Sequence, residues 1–552
     1  MSPWLLLLPL IPAGGALVVW ALPARPAADR VRRWARMALL LAGALATGAV
    51  PRLPAAPALA RLVAQVTAGT PLPLRLDGLS GLFILLMSGT LALADLALWA
   101  SPLRRFEAVA TLLVVAAASA ACLADDLTTL AWAWGALDLA CIGLETMRMR
   151  ESEAGDVVRH AWSRSAATVL LIVAALWMSA TQGRTVMTLY ALPAPVLPLL
   201  ALAATLRLGV FPLPGSRTIR WDALVVSLVT GGYFWSRLAS IAGRAFAFEA
   251  WLVPGAAVLL ATGCLAAVAE EPRSALRYVA LHGMAIMLLA PLLQRQAGAA
   301  TTLMAALNVS LCLLLLAPEA QELALPRLGR WQRLPRALAV ASLAGLPATL
   351  GFATRLLFLM LCQLHAAESL VWMTVVSYAL VSVPLWRHRA LVWGEGALTR
   401  DGTPDQPGPW GAWAGLLSGL APALILLLVG LNPTWAGRWW RPPDDSLRLL
   451  TWSGILEVGG RTWRSAALLG VVAPNLVGYA LAQGLGPWAA QGRVIAAITT
   501  LPRLEWLYLL LEDVYALLLR LWRRALGTLE ESFALGWILM WSAAILFYLV
   551  EG

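Results

Sequence analysis

Six ionisable residues lie within or beside long apolar segments of this chain, where charge is costly and usually functional. They comprise three carboxylates, two arginines and one histidine: Asp95, Asp138, Glu145, Arg207, Arg355 and His282. Carboxylates and imidazoles at membrane depth can pass protons, whereas fixed arginines favour anions. These six side chains are therefore the candidates for a proton or ion path, and none of them suggests a catalytic site.

The chain contains no lysine, because all 41 of its Lys and Arg positions are arginine. A buried lysine can lose its proton, but an arginine effectively cannot. A protein that relays protons between buried lysines would therefore lack its usual carrier here. The four histidines are widely separated and predict no metal cluster.

The composition predicts an all-α polytopic membrane protein. Of the 552 residues, 60% are hydrophobic and only 13% are charged. A membrane-spanning helix needs about 20 apolar residues, and roughly 16 segments of that kind follow one another. We expect about 14 core transmembrane helices, two of them broken, followed by an amphipathic surface helix and a final span.

Arginine placement predicts the orientation. Alternate connections are rich in arginine, and they lie at 25–36, 104–105, 148–164, 217–220, 273–277, 327–336 and 387–400. Positive charge accumulates on the cytoplasmic side, so the N-terminus is predicted to lie outside a bacterial or archaeal inner membrane. The net charge of +11 is explained by this topology, and no nucleic-acid partner is needed.

No cofactor or metal is predicted. The five cysteines lie inside apolar segments without paired spacing, at Cys122, Cys141, Cys264, Cys312 and Cys362. This pattern matches neither a disulfide framework nor a zinc or iron–sulfur site. No glycine-rich phosphate loop opens any segment. Any redox chemistry must therefore be carried out by another subunit.

Two polar stretches divide the chain. We expect an antiporter-type transmembrane core over residues 1–430 and a C-terminal extension over 431–552. The extension is predicted to hold an extra span, a lateral amphipathic helix at about 501–529 and a last span at 533–550. Acidic and basic residues interrupt the lateral segment, at Glu505, Glu512, Asp513, Arg520, Arg523 and Arg524.

Five local motifs, in order along the chain, carry a family resemblance; they lie at 76–83, 126–134, 207–212, 271–278 and 344–355. The strongest is Gly-Leu-Pro followed by Gly-Phe and Arg355. Together they resemble the antiporter-like, proton-translocating subunits shared by respiratory complex I, Mrp-type antiporters and membrane-bound hydrogenases. The resemblance implies two broken helices that place protonatable side chains beside a hydrated axis.

The residues that the resemblance assigns to the proton relay have all changed type. The glutamate position is Gly135, the first lysine position is Arg207, and later relay positions hold Asn308, Cys312 and Arg355. Asp138 follows Gly135 by one helical turn. It either replaces the glutamate and pairs with Arg207, or simply neutralises an arginine. His282 stands where the family has a small polar residue, which favours a packing role.

The leading hypothesis is a membrane-embedded subunit of a complex-I-related assembly in which proton translocation is lost or altered. It would bind lipid and other membrane subunits, with any redox subunits elsewhere in the assembly. It could thus belong to a translocating oxidoreductase without a catalytic site of its own. The alternative is an active proton, ion or anion transporter that uses the six candidate residues. A further alternative, the membrane subunit of a two-component inorganic-carbon uptake system, would need an intact proton path.

Overall fold

A computed structural model describes residues 3–22, 28–50, 74–97, 105–148, 154–183, 192–193, 195–210, 221–242, 249–316, 330–365, 368–388, 409–433 and 460–484. Within these ranges the chain forms sixteen α-helices and a short 3-10 helix at Pro3–Leu6. The α-helices are α1 (Leu7–Ala21), α2 (Ala28–Ala49), α3 (Gly78–Ala97), α4 (Arg105–Leu123), α5 (Leu127–Arg148), α6 (Ala154–Gln182), α7 (Leu197–Leu208), α8 (Trp221–Ala242), α9 (Glu249–Val268), α10 (Pro272–Leu293), α11 (Arg295–Leu316), α12 (Arg330–Ala344), α13 (Leu350–Leu364), α14 (Glu368–Arg387), α15 (Pro409–Leu431) and α16 (Gly460–Gly484).

Eleven helices in the described ranges are long and apolar enough to cross a membrane, which confirms the all-α polytopic fold. Three further apolar helices are shorter: Leu197–Leu208, Leu350–Leu364 and Leu416–Leu431. The first two coincide with the segments predicted to be broken helices. The predicted lateral helix and last span lie outside the described residues, and the boundary at residue 430 stays a prediction.

The chain separates into two compact units, of which the first comprises residues 1–89, 102–203 and 504–552. Here α4 packs against α1, α2 and α5, and α6 packs against α5. The Asp-Gly-Leu-Ser motif is a helix cap. The Ser80 amide donates to Asp77 Oδ1 over 2.8 Å, and the Asp77 amide donates to Ser80 Oγ over 2.9 Å. This reciprocal pair fixes the start of α3.

The second unit comprises residues 90–101 and 204–503. Its centre is the antiparallel hairpin of α10 and α11, which α8, α9, α13, α14 and α15 surround. Pro291 lacks an amide hydrogen, so the carbonyl of Met287 loses its helical donor. The Thr302 hydroxyl lies 3.2 Å from that carbonyl oxygen and shares its hydrogen between it and the Gly298 carbonyl, at 2.9 Å. Backbone groups inside a membrane must be bonded within the protein, and this contact meets that requirement.

The extension helix α16 packs against α13 and α14 in the second unit. Two glycines allow close approach, Gly470 beside Leu359 and Gly478 beside the Ala379 carbonyl and Ser382. The Ser382 hydroxyl lies within hydrogen-bond distance of Asn475 Oδ1, at 2.9 Å, and of the Tyr378 carbonyl in its own helix, at 2.8 Å. Small residues with one interhelical hydrogen bond are a usual basis for helix association in membranes.

Candidate functional site

In the first unit, Asp138 and Glu145 lie two helical turns apart on α5 and point towards α6. The Thr168 hydroxyl donates to Asp138 Oδ2 over 2.6 Å. Arg164 Nη2 donates to Glu145 Oε2 over 2.8 Å. We call these four residues the α5–α6 cluster. All four are buried, and the Arg164 side chain also interacts electrostatically with Asp138.

The position of Arg164 differs from the sequence-based expectation. Its place in an arginine-rich stretch suggested a residue of a cytoplasmic connection. In the structure it lies in the span Ala161–Thr181 and is only 1% exposed. An arginine buried at this depth needs a counter-charge, and Glu145 supplies it. Glu145 is thus the partner of a fixed cation.

The structure has open space at Gly135, the position that the resemblance assigns to a glutamate. A Cβ atom added at Gly135 would meet no other atom within 4 Å. Asp138, one turn further along α5, is 5% exposed and takes its hydrogen bond from Thr168. Its predicted pairing with Arg207 joins the two units and stays a prediction. Asp95 is also buried, on α3.

Arg207 is fully buried in the last turn of α7. The helix ends directly after it, because Gly209 adopts a positive φ of 75° and its amide donates to the Leu206 carbonyl over 3.1 Å. Gly231 of α8 lies against this end, where an added Cβ would come within 2.6 Å of Leu208 Cα. The continuation of the motif through Phe211 and Pro212 lies outside the described residues.

The second predicted break is present as residues 345–349, between α12 and α13. Gly345 has a positive φ of 71°, and its amide donates to the Ser342 carbonyl over 3.0 Å. The Leu346 amide donates to the Ala341 carbonyl over 2.9 Å, which completes a Schellman cap. Thr349 caps the next half-helix by accepting a bond from the Phe352 amide.

Asn308 connects both sides of this break. The Ser342 hydroxyl donates to Asn308 Oδ1 over 2.6 Å, and the Gly351 amide donates to Ser342 Oγ over 3.0 Å. Cys312 lies one turn from Asn308, with its sulfur 3.5 Å from the Ala339 carbonyl oxygen. Two positions assigned to the proton relay therefore hold side chains that bond the broken helix.

Arg355 occupies a third position that the resemblance assigns to the proton relay, and its side chain contacts the broken segment. Its Nη2 donates to the Leu343 carbonyl over 2.5 Å, at the C-terminal end of α12, where the helix dipole favours a cation. The guanidinium also stacks on the Tyr378 ring, 4.6 Å from the centroid. Among the described residues no carboxylate contacts Arg355. Asn308, Ser342, Arg355 and Tyr378 are called the break cluster below.

His282 also contacts the Tyr378 ring, edge to face, with the ring centroids 5.9 Å apart. Its Nε2 is 3.1 Å from Ser377 Oγ, and the Ser377 hydroxyl donates to the Thr374 carbonyl over 2.8 Å. Because that hydrogen is already committed, Nε2 is the donor to Ser377 Oγ. The role of His282 in helix packing stays a prediction.

The structure brings Arg355 and His282 together around Tyr378, and it joins Glu145 to Arg164. Sequence reasoning missed four participants: Arg164, Thr168, Ser342 and Tyr378. Thr168, Ser342 and Tyr378 are of types common in apolar helices, and Arg164 stands at the end of an arginine-rich stretch, so only their spatial neighbours mark them. No group of three or more metal-binding side chains occurs in the described ranges.

Comparison with solved structures places this fold among membrane complexes. A chain of the Mrp complex from Dietzia sp. DQ12-45-1b matches 95% of the protein with a TM-score of 0.70 and 19% identity, and the protein spans 63% of that chain. A chain of respiratory complex I from Thermus thermophilus matches 83% of the protein and 100% of its own length, with a TM-score of 0.59 and 20% identity.

A chain of the membrane-bound sulfane sulfur reductase, an archaeal respiratory membrane complex, covers 79% of the protein and 77% of its own length, with a TM-score of 0.61 and 18% identity. No protein-family model matches the sequence, and no curated protein matches it significantly. The structural matches confirm the resemblance drawn from the five motifs. This chain has the fold of the antiporter-like membrane subunits.

Proposed function

We propose that this chain is a membrane-embedded subunit of a multi-subunit assembly related to Mrp and complex I, and that its second unit does not relay protons. One observation carries the proposal. The positions assigned to the relay hold Asn308, Cys312 and Arg355, whose side chains bond the ends of a broken helix. Their role is to hold the backbone in place.

The chemistry of these side chains supports a structural role. A relay needs groups that gain and lose a proton near neutral pH. Arginine stays protonated, and an asparagine amide neither accepts nor releases a proton in this range. Arg355 would therefore stand as a fixed positive charge, which repels a proton moving along the same axis.

Partners and location follow from the same proposal. The similarity to chains of Mrp, complex I and the sulfane sulfur reductase supports neighbouring membrane subunits. Redox subunits, where present, would lie elsewhere in the assembly, because the sequence offers no cofactor motif. The N-terminus would face outward from a bacterial or archaeal plasma membrane.

Two experiments test the proposal. Native purification in mild detergent, followed by mass spectrometry, should recover several membrane subunits with this chain. A single soluble partner would instead favour a two-component uptake system. In the purified assembly, reconstituted in liposomes with a pH-sensitive dye, His282→Gln should change proton flux by less than about twofold, like the exposed-site control Glu270→Gln. A loss of flux specific to His282→Gln would overturn the proposal for the second unit, whereas a loss specific to Asp138→Asn would favour translocation through the first unit.

A second candidate function rests on the α5–α6 cluster. Asp138 and Glu145 are both buried in the first unit, where Arg164 pairs with Glu145 and interacts electrostatically with Asp138. An acidic site of this kind could bind a proton, so translocation through the first unit is the alternative. If fixed arginines instead guide an anion, Arg207→Gln should abolish anion uptake, whereas a structural subunit would lose only stability.

A further inference from the structure

We propose that the second broken helix is a conformational latch, held closed by two separate side-chain connections, one through Arg355 and one through Ser342 with Asn308. The latch keeps the half-helices α12 and α13 in one arrangement. It goes beyond the proposed function, because a latched break is compatible with either a structural or a transporting subunit.

The backbone at the break is strained and therefore needs to be held. Ala348 has a φ of 69°, a conformation that residues with a side chain rarely adopt. Such strain persists only where the surroundings impose it. Gly430 of α15 presses on the same segment, since an added Cβ there would overlap the backbone of Thr349 and Leu350.

The first connection is Arg355, which ties α12, α13 and α14 together. Its guanidinium edge bonds the Leu343 carbonyl of α12, and its face lies on the Tyr378 ring of α14. The Tyr378 hydroxyl donates back to the Arg355 carbonyl over 3.3 Å. The Arg355 side chain packs directly on Gly345, where an added Cβ would lie 2.5 Å from Arg355 Cδ. Loss of the guanidinium would remove the bond to Leu343 and the contact with the Tyr378 ring.

The second connection runs from α11 through α12 to α13. Asn308 accepts a bond from the Ser342 hydroxyl, which in turn accepts one from the Gly351 amide. Gly351 packs so closely on the Ser342 carbonyl that no side chain fits there. This connection shares no atom with the Arg355 connection, so each can be removed separately.

Cys312 offers a native reporter of the closed state. It is fully buried, and its sulfur contacts the Ala339 carbonyl and Asn308 Oδ1. Separation of α12 from α11 would expose this thiol to a small reagent. Cys362 on α13 contacts Thr374 and is also fully buried. It reports loosening of the whole unit, because it makes none of the hydrogen bonds of either connection.

The test uses the full chain in mild detergent, with Cys122, Cys141 and Cys264 changed to alanine. N-ethylmaleimide labelling of Cys312 and Cys362 is followed by peptide mass spectrometry. We expect Cys312 to react about tenfold faster in Arg355→Met and about fivefold faster in Ser342→Ala, the effects of losing a charged and a neutral hydrogen bond. Cys362 should change by less than about twofold in both.

Two further variants sharpen the result. Arg355→Lys should give an intermediate rate, because an ammonium keeps the bond to Leu343 but cannot stack flat on Tyr378. Ser310→Ala removes a buried hydroxyl that has no hydrogen-bond partner and should leave both cysteines unchanged. The latch is refuted if Cys312 reactivity stays within twofold of the parent in both connection variants. It is equally refuted if Cys362 accelerates in parallel, since the residues would then only stabilise the unit.

Discussion

The α5–α6 cluster and the break cluster both bury arginine inside apolar helices, but they balance its charge differently. In the α5–α6 cluster, Arg164 has a carboxylate partner in Glu145 at 2.8 Å. In the break cluster, Arg355 has a carbonyl dipole and an aromatic ring. Removing one member of an ion pair leaves the other charge buried without a partner. Removing Arg355 would leave only a carbonyl group and an aromatic ring, which are both neutral.

This difference distinguishes the residues that maintain the fold from the residues that could carry charge. Gly345, Gly351 and Gly430 permit the backbone contacts of the break, and none of them is ionisable. The same backbone can therefore be kept while the side chains at relay positions change to Asn308 and Arg355. The first unit instead holds the buried carboxylates Asp138 and Glu145 at positions outside the assigned relay. A different proton path through the first unit is therefore compatible with a second unit that does not relay protons.

Glu145→Leu should produce the largest effect, because it leaves Arg164 buried without its carboxylate. Removing one partner of a buried ion pair costs about 3–5 kcal/mol of unfolding free energy. Thermal or denaturant unfolding of the purified chain in detergent measures this cost. The control Glu270→Leu, at an exposed position, should change stability by no more than about 0.5 kcal/mol.

The double variant Glu145→Leu with Arg164→Met sharpens this result. Replacing both members by apolar residues removes the unpaired charge, so most of the lost stability should return. A double variant that is as unstable as Glu145→Leu alone would mean that packing, and not charge, sets the cost. The contrast between the two clusters would then lose its basis.

Arg355→Met should have a smaller effect, about 2 kcal/mol. It removes a charge-assisted hydrogen bond and a cation–π contact, and it leaves the Leu343 carbonyl without that donor. It leaves no opposite charge behind, however, because Arg355 has no carboxylate partner in the described ranges. The same unfolding measurement applies. A cost above that of Glu145→Leu would show that the break cluster depends on charge as strongly as the α5–α6 cluster.

The break itself was predictable from sequence, but its bonding was not. Gly345, Pro347 and Gly351 interrupt an apolar segment, and these residue types act through local backbone geometry. The predicted Asp138 and Glu145 are indeed buried, because carboxylates in a span have to face the protein interior. Their partners Thr168 and Arg164 lie on the next helix, about 20 to 30 positions away in sequence. Such pairs depend on helix rotation, which a single sequence leaves undetermined.

Thr168→Val tests the hydrogen bond between Thr168 and Asp138 in the α5–α6 cluster. It should lower the unfolding free energy by about 1–2 kcal/mol. The substitution keeps the side-chain volume but removes the donor to Asp138 Oδ2. Thr262→Val is the matched control, since that hydroxyl bonds only the carbonyls of Val258 and Leu259 in its own helix. Equal costs at the two positions would contradict a specific role for Thr168.

Ala348→Gly should have the smallest effect, and it should stabilise the protein. Ala348 is the one non-glycine residue with positive φ in the described part of the chain. Glycine adopts this conformation without the steric cost of about 1–2 kcal/mol that a Cβ incurs there. Glycine also loses more entropy on folding, by roughly 0.5–1 kcal/mol, so the net gain should be about 0.5 kcal/mol.

The sign of the stability change in Ala348→Gly is a better test of backbone strain than its size. Ala353→Gly, in the interior of α13, should cost about 1–2 kcal/mol, because the entropic penalty is joined by the loss of a buried methyl group. If Ala348→Gly stabilises while Ala353→Gly destabilises, the strain at the break is real and the surrounding contacts of Arg355 and Gly430 impose it. If both destabilise equally, position 348 carries no strain. The break would then differ from the α5–α6 cluster only in its polar partners, and not in its backbone.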